Sequence, residues 1–230
     1  MLYDQQLAAQ KLHRWEDILK ERALPSWEQL PVLELYMDQV TSLLTEYLSF
    51  LPKEEGADSV VTAAAINNYV RKKIMPPPVK KRYSRVHLAY LIMICSLKQC
   101  VSIAYIQQIL PLGLTEDQVR ALYDRFAERH RRTCLYFSEQ ISSFAEKLFG
   151  GNAAPESGVA DLVVTSAVLS GLTRLLAEEF ILLHTPGETV SRAAPQIPPN
   201  ILPGHGHKPR LLLAEALLRQ GGAFSFWRRT

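Results

Sequence analysis

Asn67 and Asn68 stand side by side, and six cations follow them between positions 71 and 82: Arg71, Lys72, Lys73, Lys80, Lys81 and Arg82. A carboxamide offers one donor and one acceptor, which match the N7 and N6 edge of adenine, so an asparagine facing outward from a helix can read a base. Lysine and arginine beside it neutralise backbone phosphates, which fixes register without reading sequence. Arg85 extends the basic run, and Tyr69 and Tyr83 flank it with hydroxyls that either pack in the domain or donate to phosphate. The competing reading makes Asn67 and Asn68 ordinary solvated residues on one basic face.

The surrounding charge is uneven. Net charge over the 230 residues is only +3, yet no Asp or Glu occurs between Ser59 and Thr115, where eight Lys and Arg fall. That leaves 18 basic against 23 acidic residues elsewhere. A positive segment set among acidic helices is a footprint of polyanion binding.

Other chemistry is sparse. His130 and Cys134 are four apart on a helical pattern, a spacing that can ligate a metal, but only two ligands are visible and a buried histidine beside an inert thiol is the simpler reading. His205 and His207 lie in a Pro-rich tail and suggest no site. Cys95, Cys100 and Cys134 include no C-x-x-C pair, which points to reduced thiols and a cytoplasmic protein. G-x-S-x-G, P-loop, G-x-G-x-x-G and H-E-x-x-H patterns are absent, so no enzymatic activity, cofactor or metal is expected.

The elements that must position Asn67 and the cations follow from periodicity and punctuation. Leu7, Leu12, Trp15, Ile18 and Leu19 recur at helical spacing, and Ser26 caps a new element with Glu28 and Gln29 in its first turn. Leu33 to Leu51 reads as a helix ended by Pro52, and Lys53 to Ser59 as a charged loop. Thr62 caps a short helix through Val70 with Ile66 and Val70 inward and Asn67, Asn68 and Arg71 outward. Pro76-Pro77-Pro78 forces an extended segment before a helix opened by Ser84. Ser102 opens Ile103 to Leu110, and Thr115 with Gln118 forms a capping box. Beyond it Val119, Leu122, Phe126, His130, Thr133, Phe137, Ile141, Phe144 and Leu148 mark a long helix, paired in a hairpin with Val159 to His184. The apolar stretch Asp161 to Leu183 is broken by Arg174, Glu178 and Glu179, and reads as a buried amphipathic helix, with no membrane span and no secretory leader.

The order of cap, short helix, basic turn, prolines and Arg-Tyr-Ser opening a helix resembles the winged helix-turn-helix of the MerR family of transcription regulators, over about Ser59 to Leu110. It rests on Ile66, Tyr69, Arg71, Ile74, Met75 and Pro76, then Arg82, Tyr83, Ser84, His87 and Leu88. The sequence departs from that pattern where Asn67-Asn68-Tyr69 replaces Arg-Tyr-Tyr, and where Lys73 replaces a glycine at a turn that favours a left-handed backbone. The blocks Leu24-Pro25-Ser26-Trp27-Glu28, Leu35-Tyr36-Met37-Asp38-Gln39, Ile66-Asn67-Asn68-Tyr69-Val70 and Lys81-Arg82-Tyr83-Ser84 are similar to a bacterial family known as domain of unknown function 1836, over roughly Ala23 to Phe149.

These readings define an all-α protein of four parts. Residues 1–58 are helices packing on a MerR-like winged helix-turn-helix at 59–115, followed by a helical hairpin for dimerisation or sensing at 116–185. A poorly ordered Pro-rich tail occupies 186–230. The resemblance implies a transcription regulator that binds double-stranded DNA through Asn67, Asn68, Tyr69, Arg71, Lys72, Lys73, Lys80, Lys81, Arg82, Tyr83 and Arg85. A homodimer suits such a protein, and a small-molecule effector, unnamed by the sequence, would sit between the long helices. The rival is a non-enzymatic protein-interaction module using a degenerate helix-turn-helix.

Overall fold

A helix whose every face is apolar must be surrounded, and Arg85–Leu97 is such a helix: in a computed structural model of the chain, the nine residues from His87 to Cys95 are all buried. The structure describes residues 5–21, 23–51, 59–149 and 155–183, all within one compact unit. Seven α-helices occur among the described residues: α1 (Gln5–Glu21), α2 (Met37–Tyr47), α3 (Ala63–Arg71), α4 (Arg85–Leu97), α5 (Ile103–Ile109), α6 (Glu116–Phe149) and α7 (Pro155–Leu182), with a single 3-10 turn at Trp27–Gln29. The all-α reading holds, and the described residues include no strand beyond two isolated bridges. The charged loop at 53–58 and the tail, with His205 and His207, lie outside the described residues.

α4 is the axis of the core, packed by α2 and α6. One apolar cluster joins Leu24, Trp27 and Leu30 to Val40, Leu44 and Leu48 of α2, Ile66 and Tyr69 of α3, Ile106 of α5, and Val119 and Tyr123 of α6. Tyr123, fully buried, donates its hydroxyl to the Pro25 carbonyl at 2.6 Å, which satisfies a polar group that burial would otherwise penalise. An ion pair between Arg120 and Glu28 joins the same two regions at the surface.

The caps work as their residues dictate. Thr62 Oγ1 accepts from Ala65 N at 3.2 Å, and Ser102 Oγ from Tyr105 N at 3.4 Å. Thr115 and Gln118 bond reciprocally, at 2.9 and 3.4 Å, ahead of α6. Gln29 Oε1 accepts from the Ser26 backbone N–H at 2.7 Å, although the element it starts is only one 3-10 turn.

Two sequence expectations are corrected, the start of α2 and the burial of α7, and the expected pairing of α6 with α7 is not the main contact of α6. α2 begins at Met37 rather than Leu33, because Leu35 exchanges both backbone hydrogen bonds with Tyr83, each 2.9 Å, and cannot also be helical. α6 is a long helix as expected, but it runs chiefly against α1, with α7 touching α1, α5 and α6. Its second half therefore does not keep the whole expected stripe inside: Thr133 and Phe137 are exposed. α7 is not a buried helix: over Val159–Leu182 it has a mean hydropathy of 1.6, yet little of it is covered, and all of Val163 to Leu176 is exposed. By length and composition it is the one described helix that could cross a membrane.

Candidate nucleic-acid interface

α3 is nine residues long and turns Ile66 and Tyr69 into the core. That leaves Ala63, Ala64, Asn67 and Arg71 exposed on the outer side, at the i, i+3 and i+4 spacing that makes one stripe. Asn67 is exposed on this stripe with no hydrogen-bond partner among the described residues, whereas half-buried Asn68 accepts at Oδ1 from Arg71 Nη2 at 2.8 Å. The two asparagines are therefore not equivalent: Asn68 orients the arginine, and Asn67 faces outward.

The helix ends in a Schellman motif. Lys73 N–H bonds to the Val70 carbonyl and Ile74 N–H to the Tyr69 carbonyl, both at 3.0 Å, with Lys73 at φ 54°. The left-handed backbone that a glycine would suit is thus present, with a lysine in it. Gln107 of α5 donates to the Lys72 carbonyl at 3.0 Å, capping the same helix end from a distant part of the chain. Arg71, Lys72 and Lys73 all stand exposed where the helix dipole is negative, a placement that favours cations structurally as well.

After the three prolines, Val79 and Arg82 exchange backbone hydrogen bonds at 2.9 and 3.2 Å around the pair Lys80-Lys81, at φ 50° and 62°. Positive φ at both central residues is the signature of a type I′ two-residue hairpin, whose twist suits the flanking chain and whose preferred residues are Asn and Gly. Lys73, Lys80 and Lys81 are the only non-glycine residues with positive φ among the described ones, and all three are exposed. No ion pair to Lys72, Lys73, Lys80 or Lys81 occurs among the described residues.

The hairpin is held at its base. Tyr83 bridges to Leu35, and Arg82 Nη2 donates to Tyr36 Oη at 2.9 Å with its guanidinium 4.8 Å from that ring's centroid. Buried His87 ties both flanks: its Nδ1 accepts from Ser84 N–H at 2.9 Å, and Nε2 donates to the Pro77 carbonyl at 3.1 Å. Those partners fix the neutral tautomer with the proton on Nε2. Burial lowers the His87 pKa below the usual value, against the opposing pull of its contacts with Pro77, Glu34 and Ser84.

Not every residue picked from the sequence lies on an exposed surface. Tyr69 and Tyr83 are 4% and 3% exposed, so they belong to the core and support the contact surface from beneath. Arg85 is half-buried: its Nε and Nη2 donate to the Leu30 carbonyl at 3.2 and 3.0 Å, and it lies 5.5 Å from the Trp27 ring centroid, a clip between α4 and the chain before α2. Asn67, Arg71, Lys72, Lys73, Lys80, Lys81 and Arg82 remain exposed, and Asn68 is half-buried. Sequence reasoning missed Ala63, Ala64, Tyr36 and Gln107; the helical spacing of the two alanines to Asn67 could have revealed them, but the Tyr36 and Gln107 contacts span 46 and 35 residues.

His130 and Cys134 meet at 3.6 Å between Nδ1 and Sγ, and the imidazole is flanked by Phe50 and Phe126. Burial lowers the His130 pKa and raises that of Cys134, as it does for Cys95, pushed up to about 11. No group of three His, Cys, Asp or Glu gathers among the described residues.

The chain is a helical domain with a short helix that ends in exposed cations and, a few residues further on, a lysine-tipped hairpin. Residues 25–126 match the family model described as "Domain of unknown function (DUF1836)", which supports the resemblance to that family. The match spans the 3-10 turn through the first part of α6, including the whole of α3 and the hairpin, and ends short of Phe149. No curated protein and no solved structure matches the chain.

Proposed function

We propose that α3 and the Val79–Arg82 hairpin bind double-stranded DNA as a winged helix-turn-helix of the MerR type, and that the protein is a cytoplasmic, non-enzymatic transcription regulator. The supporting observation is the pair Lys80-Lys81: two exposed cations, with no acidic partner among the described residues, held at the two positive-φ positions of a tight turn. Lysine is a poor residue for that backbone, and local strain is characteristically kept where a side chain is needed for function. The cations at the end of α3 have a structural reason in the helix dipole; those at the hairpin tip have none.

In this reading α3 enters the major groove with Asn67 as base reader and Ala63 and Ala64 as small apolar contacts for thymine methyl groups. Arg71, Lys72, Lys73, Lys80, Lys81 and Arg82 contact phosphates. Asn68 holds Arg71, while Tyr69, Tyr83 and Arg85 build the scaffold.

The test is affinity for duplex DNA across a salt series. Six phosphate contacts give a slope of log K against log salt near about −5. Replacing Lys80, Lys81 and Arg82 with Ala should weaken binding on any sequence and flatten that slope by roughly 3. Unchanged affinity in the triple variant would refute the assignment. Selection of bound duplexes from random DNA then returns the operator.

A further inference from the structure

Of the fourteen residues from Val163 to Leu176 in α7, all are exposed and only Arg174 is charged. A helix this apolar on every side does not stand free in water, so something covers it. Leucines recur every seven residues, at Leu162, Leu169 and Leu176 within it and at Leu183 just past its end. Leu162 is half-buried, whereas Leu169, Leu176 and Leu183 are 37%, 51% and 73% exposed. A seven-residue repeat keeps one seam in contact between two supercoiled helices over its whole length. Lipid contact imposes no such period.

The charges argue in the same direction. Arg174 and Glu178 lie on the side of the helix away from the leucine seam and pair with each other at 3.9 Å. Asp161 at one end and Arg174, Glu178 and Glu179 toward the other put charge on α7, and the repeat of leucines runs between and past them. α1, α5 and α6 touch α7 and still leave Val163 to Leu176 exposed.

We infer that the seam pairs with the same seam of a second copy, α7 against α7, in antiparallel orientation. Leu162 then faces Leu183 of the other copy, and Leu169 faces Leu176, a self-complementary two-fold contact. Glu179 borders the seam. Antiparallel pairing sets it beside an uncharged Ser166, whereas parallel pairing would bring the two Glu179 carboxylates to one level, a like-charge contact. The inference stands on α7 and not on the DNA reading: loss of either leaves the other in place.

Light scattering on the full chain at micromolar concentration should give twice the chain mass, and L169E/L176E should give the single chain mass. Both leucines are surface residues in one copy, so the far-UV circular dichroism of the variant should keep its helical signal. For orientation, chains with Cys100 and Cys134 replaced by Ser are used. Oxidising a mixture of L169C and L176C chains should yield the mixed disulfide in preference to either like pair. A single-mass wild type, a double variant that stays dimeric, or a preference for like pairs would overturn the inference. So would flotation of the wild type with vesicles of phosphatidylcholine and phosphatidylglycerol.

Discussion

Replacing Lys80-Lys81 with Asn-Gly should make the protein more stable and a weaker DNA binder at once. Lys81 sits at φ 62° and Lys80 at φ 50°. Relieving the left-handed strain at Lys81 with glycine gains roughly 1–2 kcal/mol, offset by about 0.5–1 kcal/mol for the greater freedom glycine has when unfolded. Asparagine at position 80 adds a few tenths, since among non-glycine residues it tolerates positive φ best. The sum is about 1 kcal/mol, which in a chain of this size raises Tm by about 2–4 °C. Against that, two phosphate contacts are lost. Each contributes about 0.9 to the salt slope, so the slope flattens by ~1.8 and affinity at about 0.15 M salt falls roughly 30-fold. Thermal denaturation followed by circular dichroism measures the first effect, and fluorescence anisotropy on labelled duplex over a salt series measures the second. A lower Tm would refute the turn geometry. An unchanged salt slope would refute the role given to the hairpin lysines, even if stability rose as expected.

The same reasoning applies at the end of α3, where Lys73→Gly should raise stability by ~0.5 kcal/mol with loss of one unit of salt slope. Arg85→Ala should lower stability by about 2 kcal/mol, because the Leu30 carbonyl loses both charged hydrogen bonds and Trp27 loses its cation, while the salt slope stays as in the wild type; a flattened slope would return Arg85 to the DNA surface. Tyr123→Phe leaves the Pro25 carbonyl without its donor and should cost about 1–3 kcal/mol in chemical denaturation, with DNA affinity per folded molecule unchanged. Burial lowers the pKa of both His87 and His130, so the unfolded chain takes up protons near pH 6.5 before the folded one does. Stability from these two groups is complete above about pH 6.5 and is lost as pH falls below it toward their folded values. Denaturation midpoints between neutral and mildly acidic pH check the sign; a rise in stability on acidification would show that both imidazoles gain a proton on folding.

Where helices start was largely readable from sequence, because a cap is a local event. Thr62, Ser84, Ser102 and Thr115 each stand at the N-terminus of the helix expected from them: the Thr62, Ser102 and Thr115 side chains accept from a backbone N–H three residues on, and at Ser84 the backbone N–H donates to His87 Nδ1 instead. The inward turn of Ile66 and the outward turn of Asn67 follow equally from the 100° step of a helix, and the basic, acid-free character of the segment from Ser59 to Thr115 is composition alone. Position 73 could be marked as a turn that favours a left-handed backbone, but that Lys73 adopts it, at φ 54°, is a structural finding.

Tertiary structure decided the rest. Whether Tyr83 and Arg85 face solvent depended on Leu30, Leu35 and Trp27, which lie dozens of residues upstream. Leu35 could not be removed from α2 by any local pattern, because its competing hydrogen bonds come from Tyr83. The same holds for α6, whose apolar stripe is compatible with several neighbours and whose choice of α1 is a packing outcome. On α7 the leucine repeat was present in the sequence throughout, but only the fold shows that the described chain leaves Leu169, Leu176 and Leu183 exposed. Periodicity states which face of a helix is apolar; contact alone states what meets it.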